Sequence, residues 1–126
     1  MSTTTMAPEM REVNRTFDAV MASGDVAALG RVYARDAQIL PPGAEPMRGL
    51  EGIQKFWKAA RESLKVTDCT LHTLELQVQG DMAYEVGRAD LTTSASSAPI
   101  VVKYVVAWRR MDDAWRWHVD IWNTNS

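Results

Sequence analysis

The chain contains a single cysteine, Cys69, among its 126 residues. An internal disulfide therefore cannot form, which is typical of a reducing compartment, and the expected location is the cytoplasm. No apolar run approaches the roughly 20 residues that a membrane-spanning helix needs. The first residues do not contain a basic segment followed by an apolar segment, which is the pattern of a signal peptide. The sequence thus predicts a soluble protein with no membrane partner.

Clustered positive charge is also lacking. The chain has fourteen Lys and Arg residues and sixteen Asp and Glu residues, for a net charge of -2. The positively charged residues are not clustered along the sequence. Because a phosphate backbone is bound by several convergent cations, nucleic acid is not an expected partner. The two histidines, His72 and His118, have no partner at metal-ligand spacing, so no metal is expected. No phosphate-binding glycine loop or nucleophile elbow is present, and no cofactor is expected.

Apolar residues are well represented. They make up 46% of the chain and charged residues 24%, which is sufficient for a packed core and unlike a disordered composition. The length fits one domain. We expect residues 1–7 to be a disordered leader and residues 8–126 to form the single domain.

The hydrophobic periodicity changes along the chain. A helical period predicts one helix from Pro8, a second with Val26, Leu29, Val32 and Tyr33 on its buried side, and a third over about 51–64. Strands are predicted over 37–40, 74–79, 82–92, 100–110 and 115–123, with 93–99 a flexible loop. The order α-α-β-α-β-β-β-β predicts the α+β class, with three helices covering one face of a mostly antiparallel sheet.

The last hairpin can be registered from its turn at Asp112 and Asp113. Trp108 should then oppose Trp117, and the same spacing pairs Val106 with Val119 and Tyr104 with Ile121. We expect this apolar face to meet the helices. A β-bulge would reverse the alternation locally.

The aromatic residues of the inner face can fill a solid core or line a pocket for a flat apolar ligand, and the sequence leaves both open. The residues expected to line such a pocket are Phe17, Tyr33, Trp57, Val86, Arg88, Tyr104, Val106, Trp108, Trp117, Val119, Ile121 and Asn123. Within this set Arg88 is a candidate for holding a carboxylate or an enolate, or else it pairs with Asp90.

Strict alternation places a second group on the outer sheet face, which we expect to form a dimer interface. That group is Lys103, Val105, His118, Asp120 and Trp122. Glu85 is expected there as well, and Asp120 can pair with Lys103 across the strands. If a bulge turned Glu85 or Asp120 inward, burial would raise the pKa of that carboxyl and make it a candidate acid or base.

Several motifs together resemble the nuclear transport factor 2-like superfamily. They are SGD at 23–25, YARDA at 33–37, LPPG at 40–43, GDMAYEVGR at 80–88 and DIWN at 120–123. The resemblance covers nearly the whole chain. Within the superfamily, the sequence is similar to the branch that contains the SnoaL-type polyketide cyclases and the ketosteroid isomerases.

That resemblance implies a cystatin-like, cone-shaped α+β barrel with a pocket between its helices and the concave sheet face. It also implies a homodimer built through the outer sheet face. The positions that carry isomerase catalysis in this superfamily fall at Phe17, Pro41 and Val106 here. Since none of these side chains can exchange a proton, ketosteroid isomerase activity is not expected.

Three functions remain open from the sequence. The first is binding of a small apolar or aromatic molecule. The second is an isomerase- or cyclase-type enzyme acting on a small carbonyl compound, and the third is a non-catalytic dimerisation domain. A carboxylate inside the hollow and near a tyrosine or arginine would favour the enzyme. An apolar hollow with only hydroxyl or amide groups would favour binding, and a closed cavity with no room for a ligand would favour dimerisation.

Overall fold

The computed structural model describes residues 5–125, and they form one mixed α+β unit. The elements in chain order are α1 (Pro8–Ser23), a 3₁₀ helix (Val26–Arg31), β1 (Tyr33–Leu40), β2 (Met47–Arg48), α2 (Leu50–Leu64), β3 (Val66–Gln79), β4 (Met82–Thr93), β5 (Ser96–Met111) and β6 (Ala114–Thr124). The predicted α+β class is confirmed. No helix within 5–125 is long and apolar enough to cross a membrane.

Helix α1 is delimited by local sequence. Pro8 occupies its first turn, where a missing backbone N–H is harmless, and Gly24 ends it with a left-handed φ of 83°. The Gly24 N–H donates to the Val20 carbonyl at 2.7 Å. Arg61 of α2 then donates through Nε to the Met21 carbonyl at 2.7 Å. This contact fixes α2 against the carboxyl end of α1.

The strands described form one curved sheet in the order β2-β1-β6-β5-β4-β3. The pair β1–β6 is parallel and every other pair is antiparallel. Helix α1 packs on β3 and β6, and α2 packs beside β1. The helices therefore cover one face of the sheet, as predicted.

Two predicted segments are wrong. The second helix is a short 3₁₀ helix, and Tyr33 already belongs to β1, because the chain there pairs with β6 and Trp117 N–H donates to the Val32 carbonyl at 2.7 Å. The 93–99 segment is not a loop, because Thr93 pairs with Ser96 and leaves a two-residue turn. Of the expected leader, residues 1–4 lie outside the described residues, and Met6 and Ala7 pack against the core.

A β-bulge in the last hairpin decides which side chains face the helices. Trp108 pairs with Trp117 as predicted, but Ala107 pairs with Val119, so His118 is extra. Every position of β6 beyond the bulge is consequently inverted relative to the expected alternation. Val106 opposes Asp120 instead of Val119, and the pair turns toward the helices.

The alternation expected in β4 is also wrong. Glu85 pairs with buried Val106 and is itself completely buried. Val86 and Arg88 therefore lie on the outer face, opposite Val105 and Lys103 respectively.

Candidate functional site

A cavity of about 230 Å³ lies between the two α-helices and the concave face of the sheet. It is lined almost entirely by apolar side chains from α1, α2 and strands β3 to β6, together with the prolines that follow β1. Its aromatic lining residues are Phe17, Phe56, Trp57, Tyr104, Trp117 and Trp122. Among the described lining residues, Asp120 is the one carboxyl group, and none is Glu, Lys, Arg or His.

The aromatic side chains form a continuous wall. Phe17 contacts Trp117 with ring centroids 4.8 Å apart and meets Trp57 edge-on at 5.4 Å. Trp57 in turn stacks on Trp122 at 5.0 Å. Rings packed on one another in this way are held rigidly, so the wall is preformed for a flat apolar molecule.

Asp120 is reached by a chain of hydrogen bonds. The Tyr33 hydroxyl donates to Asp120 Oδ2 at 2.6 Å, and Trp57 Nε1 donates to the Tyr33 oxygen at 3.1 Å. Burial raises the pKa of Asp120 to about 7; the Tyr33 hydrogen bond opposes this rise, and the negative charge of Glu85 adds to it. Asp120 is thus a carboxyl group that can both take up and release a proton near neutral pH.

Glu85 is the centre of a second polar cluster, behind the cavity wall. Its carboxylate accepts hydrogen bonds from Asn14 Nδ2 at 3.2 and 3.3 Å, Thr73 Oγ1 at 2.8 Å, the Tyr104 hydroxyl at 2.5 Å and Trp108 Nε1 at 3.0 Å. These donors come from three different elements, α1, β3 and β5. A buried carboxylate is stable only when its oxygens are bonded in this way. The cluster therefore fixes Tyr104, which lines the cavity.

The position of Tyr104 depends on a missing side chain. Its cross-strand partner is Gly87, and a β-carbon at Gly87 would overlap the Tyr104 ring and hydroxyl. The tyrosine thus occupies the space over the glycine backbone, from which its hydroxyl reaches Glu85.

Cys69 lines the cavity beside a third carboxyl group. Burial, together with the charge of Asp18, raises the pKa of the Cys69 thiol well above its ordinary value. Burial also raises the pKa of Asp18 to about 6. Such a thiol remains protonated and is a poor nucleophile. Within residues 5–125, no three His, Cys, Asp or Glu side chains are grouped as a metal site would require.

The structure divides the sequence-predicted pocket residues into three groups. Those at the cavity wall are Phe17, Trp57, Tyr104 and Trp117. Those buried behind it are Tyr33, Val106 and Trp108. Those on the outer face, where the expectation was wrong because of the inverted alternation, are Val86, Arg88, Val119, Ile121 and Asn123.

The structure also places some of the residues that were expected on the outer face elsewhere. Asp120 and Trp122, expected outside, line the cavity, whereas Lys103 and Val105 lie outside as expected. His118 is the bulge residue and lies 3.7 Å from Asp36. Arg88 pairs with Asp90 at 3.4 Å, the alternative noted from the sequence.

Sequence reasoning missed Asn14 and Thr73, which bond Glu85. Asn14 could have been identified from the sequence, because it is a polar residue on the otherwise apolar face of α1. A buried amide on such a face needs a polar partner within the fold. Thr73 left no signal, since threonine is common in any strand.

Comparison with known proteins agrees with this architecture. Among curated proteins no sequence match was found. The structure is similar to a protein described as a calcium/calmodulin-dependent protein kinase type II association domain from Thiobacillus denitrificans (18% identity, 92% and 94% of the two chains, TM-score 0.79). The structure is also similar to a protein of unknown function with a cystatin-like fold from Nostoc punctiforme (14% identity, 99% and 96% of the two chains, TM-score 0.77).

A third similar structure is the hexachlorocyclohexane dehydrochlorinase LinA-type3 from Novosphingobium barchaimii (16% identity, 94% and 85% of the two chains, TM-score 0.74). At such low identity these structures establish the fold alone. The model of the SnoaL-like domain family, in contrast, matches residues 13–118 of the sequence. The chain therefore belongs to the SnoaL-like domain family, and its fold is that of solved nuclear transport factor 2-like proteins.

Proposed function

We propose that the protein binds a small, largely apolar molecule in the cavity and transfers a proton to or from it through Asp120. The observation that carries this proposal is the placement of a single carboxyl group in a largely apolar, aromatic wall. A cavity of about 230 Å³ is small for a ligand site, which favours a compound of one or two rings.

Asp120 has the properties expected of a catalytic acid or base. Its pKa of about 7 means that both protonation states are populated near neutral pH, where proton transfer in either direction is efficient. The bond from Tyr33 orients the carboxyl group, and Trp57 orients Tyr33. Such support keeps a reacting group in one geometry.

The reaction class that fits best is that of an isomerase- or cyclase-type enzyme acting on a small carbonyl compound. Hydrogens on the carbon next to a carbonyl are acidic enough to be removed by a positioned carboxylate. The SnoaL-like family and the fold shared with a dehydrochlorinase support chemistry on small molecules in such a cavity. Asp120 supplies the proton-transfer group that Phe17, Pro41 and Val106 do not.

Deuterium exchange tests this proposal. 2-Tetralone, a two-ring apolar ketone, would be incubated with the protein in D₂O, and the loss of its C1 proton signal followed by ¹H NMR. We expect faster exchange with the wild-type protein than in buffer and a loss of about 100-fold or more in the Asp120→Asn variant. Asp68→Asn, which changes an exposed aspartate, is the matched control. Exchange at the buffer rate, or equal rates for wild type and Asp120→Asn, would contradict the enzymatic function.

Binding without turnover is the second candidate, and one observation favours it. An enolate oxygen needs a hydrogen-bond donor, but the hydrogen of the Tyr104 hydroxyl is already donated to Glu85. If 2-tetralone broadens protein signals on binding and does not exchange, this candidate replaces the first.

We further propose that the protein forms a homodimer through the outer sheet face. Val86, Val105 and Ile121 follow one another across β4, β5 and β6, and Val105 and Ile121 are 41% and 40% exposed. An apolar strip on the outer sheet face suits a self-complementary contact with a second copy. The open cavity argues against dimerisation as the sole function.

The state of Cys69 supports a cytoplasmic location, which we also propose. The cysteine is free and buried. A free thiol is compatible with a reducing compartment. Cell fractionation with an antibody to the protein tests this assignment.

A further inference from the structure

Three hydrogen-bond donors around the cavity, those of Trp57, Tyr104 and Trp117, are used within the protein. Trp117 Nε1 donates to Asn14 Oδ1 at 3.1 Å, and Trp57 Nε1 donates to Tyr33 at 3.1 Å. The Tyr104 hydroxyl donates to Glu85. Each of these lining residues therefore faces a ligand with its donor already engaged.

Tyr104 consequently offers a ligand its oxygen only as an acceptor. Burial and the charge of Glu85 raise the pKa of Tyr104 well above its ordinary value, so the phenol keeps its hydrogen and directs it to Glu85. The second acceptor is the carboxylate of Asp120, which lies diagonally across β5–β6 from Tyr104 on the same face. A phenol oxygen and a carboxylate side by side form a pair of acceptors.

Two further lining residues, Trp122 and Thr124, also carry a hydrogen-bond donor. Trp122 is half-buried with its ring stacked on Trp57, and its indole N–H has no acceptor among the hydrogen bonds described here, so it is the donor to be controlled for. Thr124 lies at the exposed end of β6 and already has an interaction partner.

We infer that the ligand is a neutral apolar molecule that carries a hydroxyl group — an alcohol, a phenol or an enol — and donates its hydrogen to Asp120 or Tyr104. The inference rests on the proposed function, since it assumes that the cavity holds the ligand. It also excludes anions, because none of the described lining residues is positively charged and Glu85 adds a second negative charge behind the wall.

The physical reason is the cost of leaving acceptors unpaired. A hydrogen bond to a charged group contributes more than one between neutral groups, and a buried acceptor without a donor loses its hydration. An ether, or a ketone in its keto form, brings a further acceptor against ionised Asp120 and Tyr104, whereas the enol form of a ketone donates. A carboxylate brings a like charge into a low-dielectric cavity, where repulsion is strong.

Three matched probes test this inference. 2-Naphthol, 2-methoxynaphthalene and 2-naphthoate share one ring system and differ in presenting a donor, an acceptor and an anion. Dissociation constants would be measured by ligand-observed NMR titration at about pH 8, where Asp120 is ionised. We expect 2-naphthol to bind at least about tenfold more tightly than the ether, as one bond to a charged group implies, and 2-naphthoate to bind most weakly.

Two variants identify the residue that causes the preference for 2-naphthol over the ether. In Asp120→Asn the advantage of 2-naphthol over the ether should shrink severalfold, because the charged acceptor is lost. In Trp122→Phe, which keeps a ring and removes the remaining indole donor, the advantage should persist.

The ranking in the wild-type protein decides the inference without any variant. Equal binding of 2-naphthol and the ether, or tightest binding of 2-naphthoate, overturns the inference and leaves binding in the cavity standing. If none of the probes binds, the proposed function fails, and the inference fails with it.

Discussion

The Tyr33 hydroxyl donates a 2.6 Å hydrogen bond to Asp120, joining the first residue of β1 to a residue of β6. The contact requires two features of the sheet. Strands β1 and β6 must run parallel, and the bulge at His118 must turn Asp120 toward the helices. Without the bulge, strict alternation would place the carboxyl group on the outer face.

The buried carboxyl of Asp120 should make stability depend on pH. Its pKa is raised from 3.8 to about 7 on folding, so the native state binds more protons than the unfolded state between these values. The free energy of unfolding contributed by Asp120 is therefore fully present below about pH 4 and is lost as the pH rises through about 7. Urea unfolding of wild type and Asp120→Asn at several pH values measures this.

Relative to Asp120→Asn, the wild type should lose stability on the order of a few kcal/mol across that window. Asp18, whose pKa is also raised, is common to both proteins and cancels in the difference. A pH-independent difference between the two proteins would contradict the raised pKa.

Replacement of Glu85 should be costly. In Glu85→Gln an amide would face the Tyr104 hydroxyl and the Trp108 indole, both of which are donors to the carboxylate. We expect a loss of about 2–4 kcal/mol in the free energy of unfolding, measured by urea denaturation. Glu75→Gln is the matched control, because Glu75 accepts its hydrogen bond from Tyr84 on the outer face and should cost under about 1 kcal/mol.

The glycine beneath Tyr104 gives a third prediction. Gly87→Ala forces the Tyr104 ring away from Glu85 and should destabilise the protein by about 1–3 kcal/mol, seen as a lower thermal midpoint. Gly30→Ala is the control, since its added methyl would meet only Leu50 Cδ2 at an ordinary 3.6 Å. Equal midpoints for the two variants would show that Tyr104 does not need the space over Gly87.

The proposed dimer predicts a response to charge on the outer face. Val105→Glu puts a carboxylate in the centre of the apolar strip and should convert a dimer into a monomer, measured by size-exclusion chromatography with light scattering. Ser97→Glu, at an exposed position near the β4–β5 turn, should leave the mass unchanged. A monomeric wild-type protein at micromolar concentration would refute the proposal.

Much of the fold follows from local pattern. The helical spacing of α1 and α2 and the hairpin turn at Asp112 and Asp113 are local features, and each predicted its element. The Trp108–Trp117 register followed from the turn alone and is confirmed.

The site was harder to predict, because it depends on one residue of register. His118 is not a glycine or a proline, so the sequence carries no local signal for the bulge, yet the bulge exchanges Asp120 for Val119 on the inner face. In β4 the more apolar alternate residues lie outside, because the inner positions hold Glu85 and Gly87, which serve Tyr104. Such burial of a carboxylate depends on donors distant in sequence, such as Asn14.

The most direct test of the central claim is a titration of the Asp120 carboxyl carbon by ¹³C NMR, with Asp120→Asn used to assign the signal. We predict a midpoint near pH 7 in the wild-type protein. Tyr33→Phe should move the midpoint higher, because the Tyr33 hydrogen bond stabilises the ionised form. A wild-type midpoint near 4, the ordinary value for an exposed aspartate, would contradict the account, since Asp120 would then be solvated and unable to exchange a proton at neutral pH.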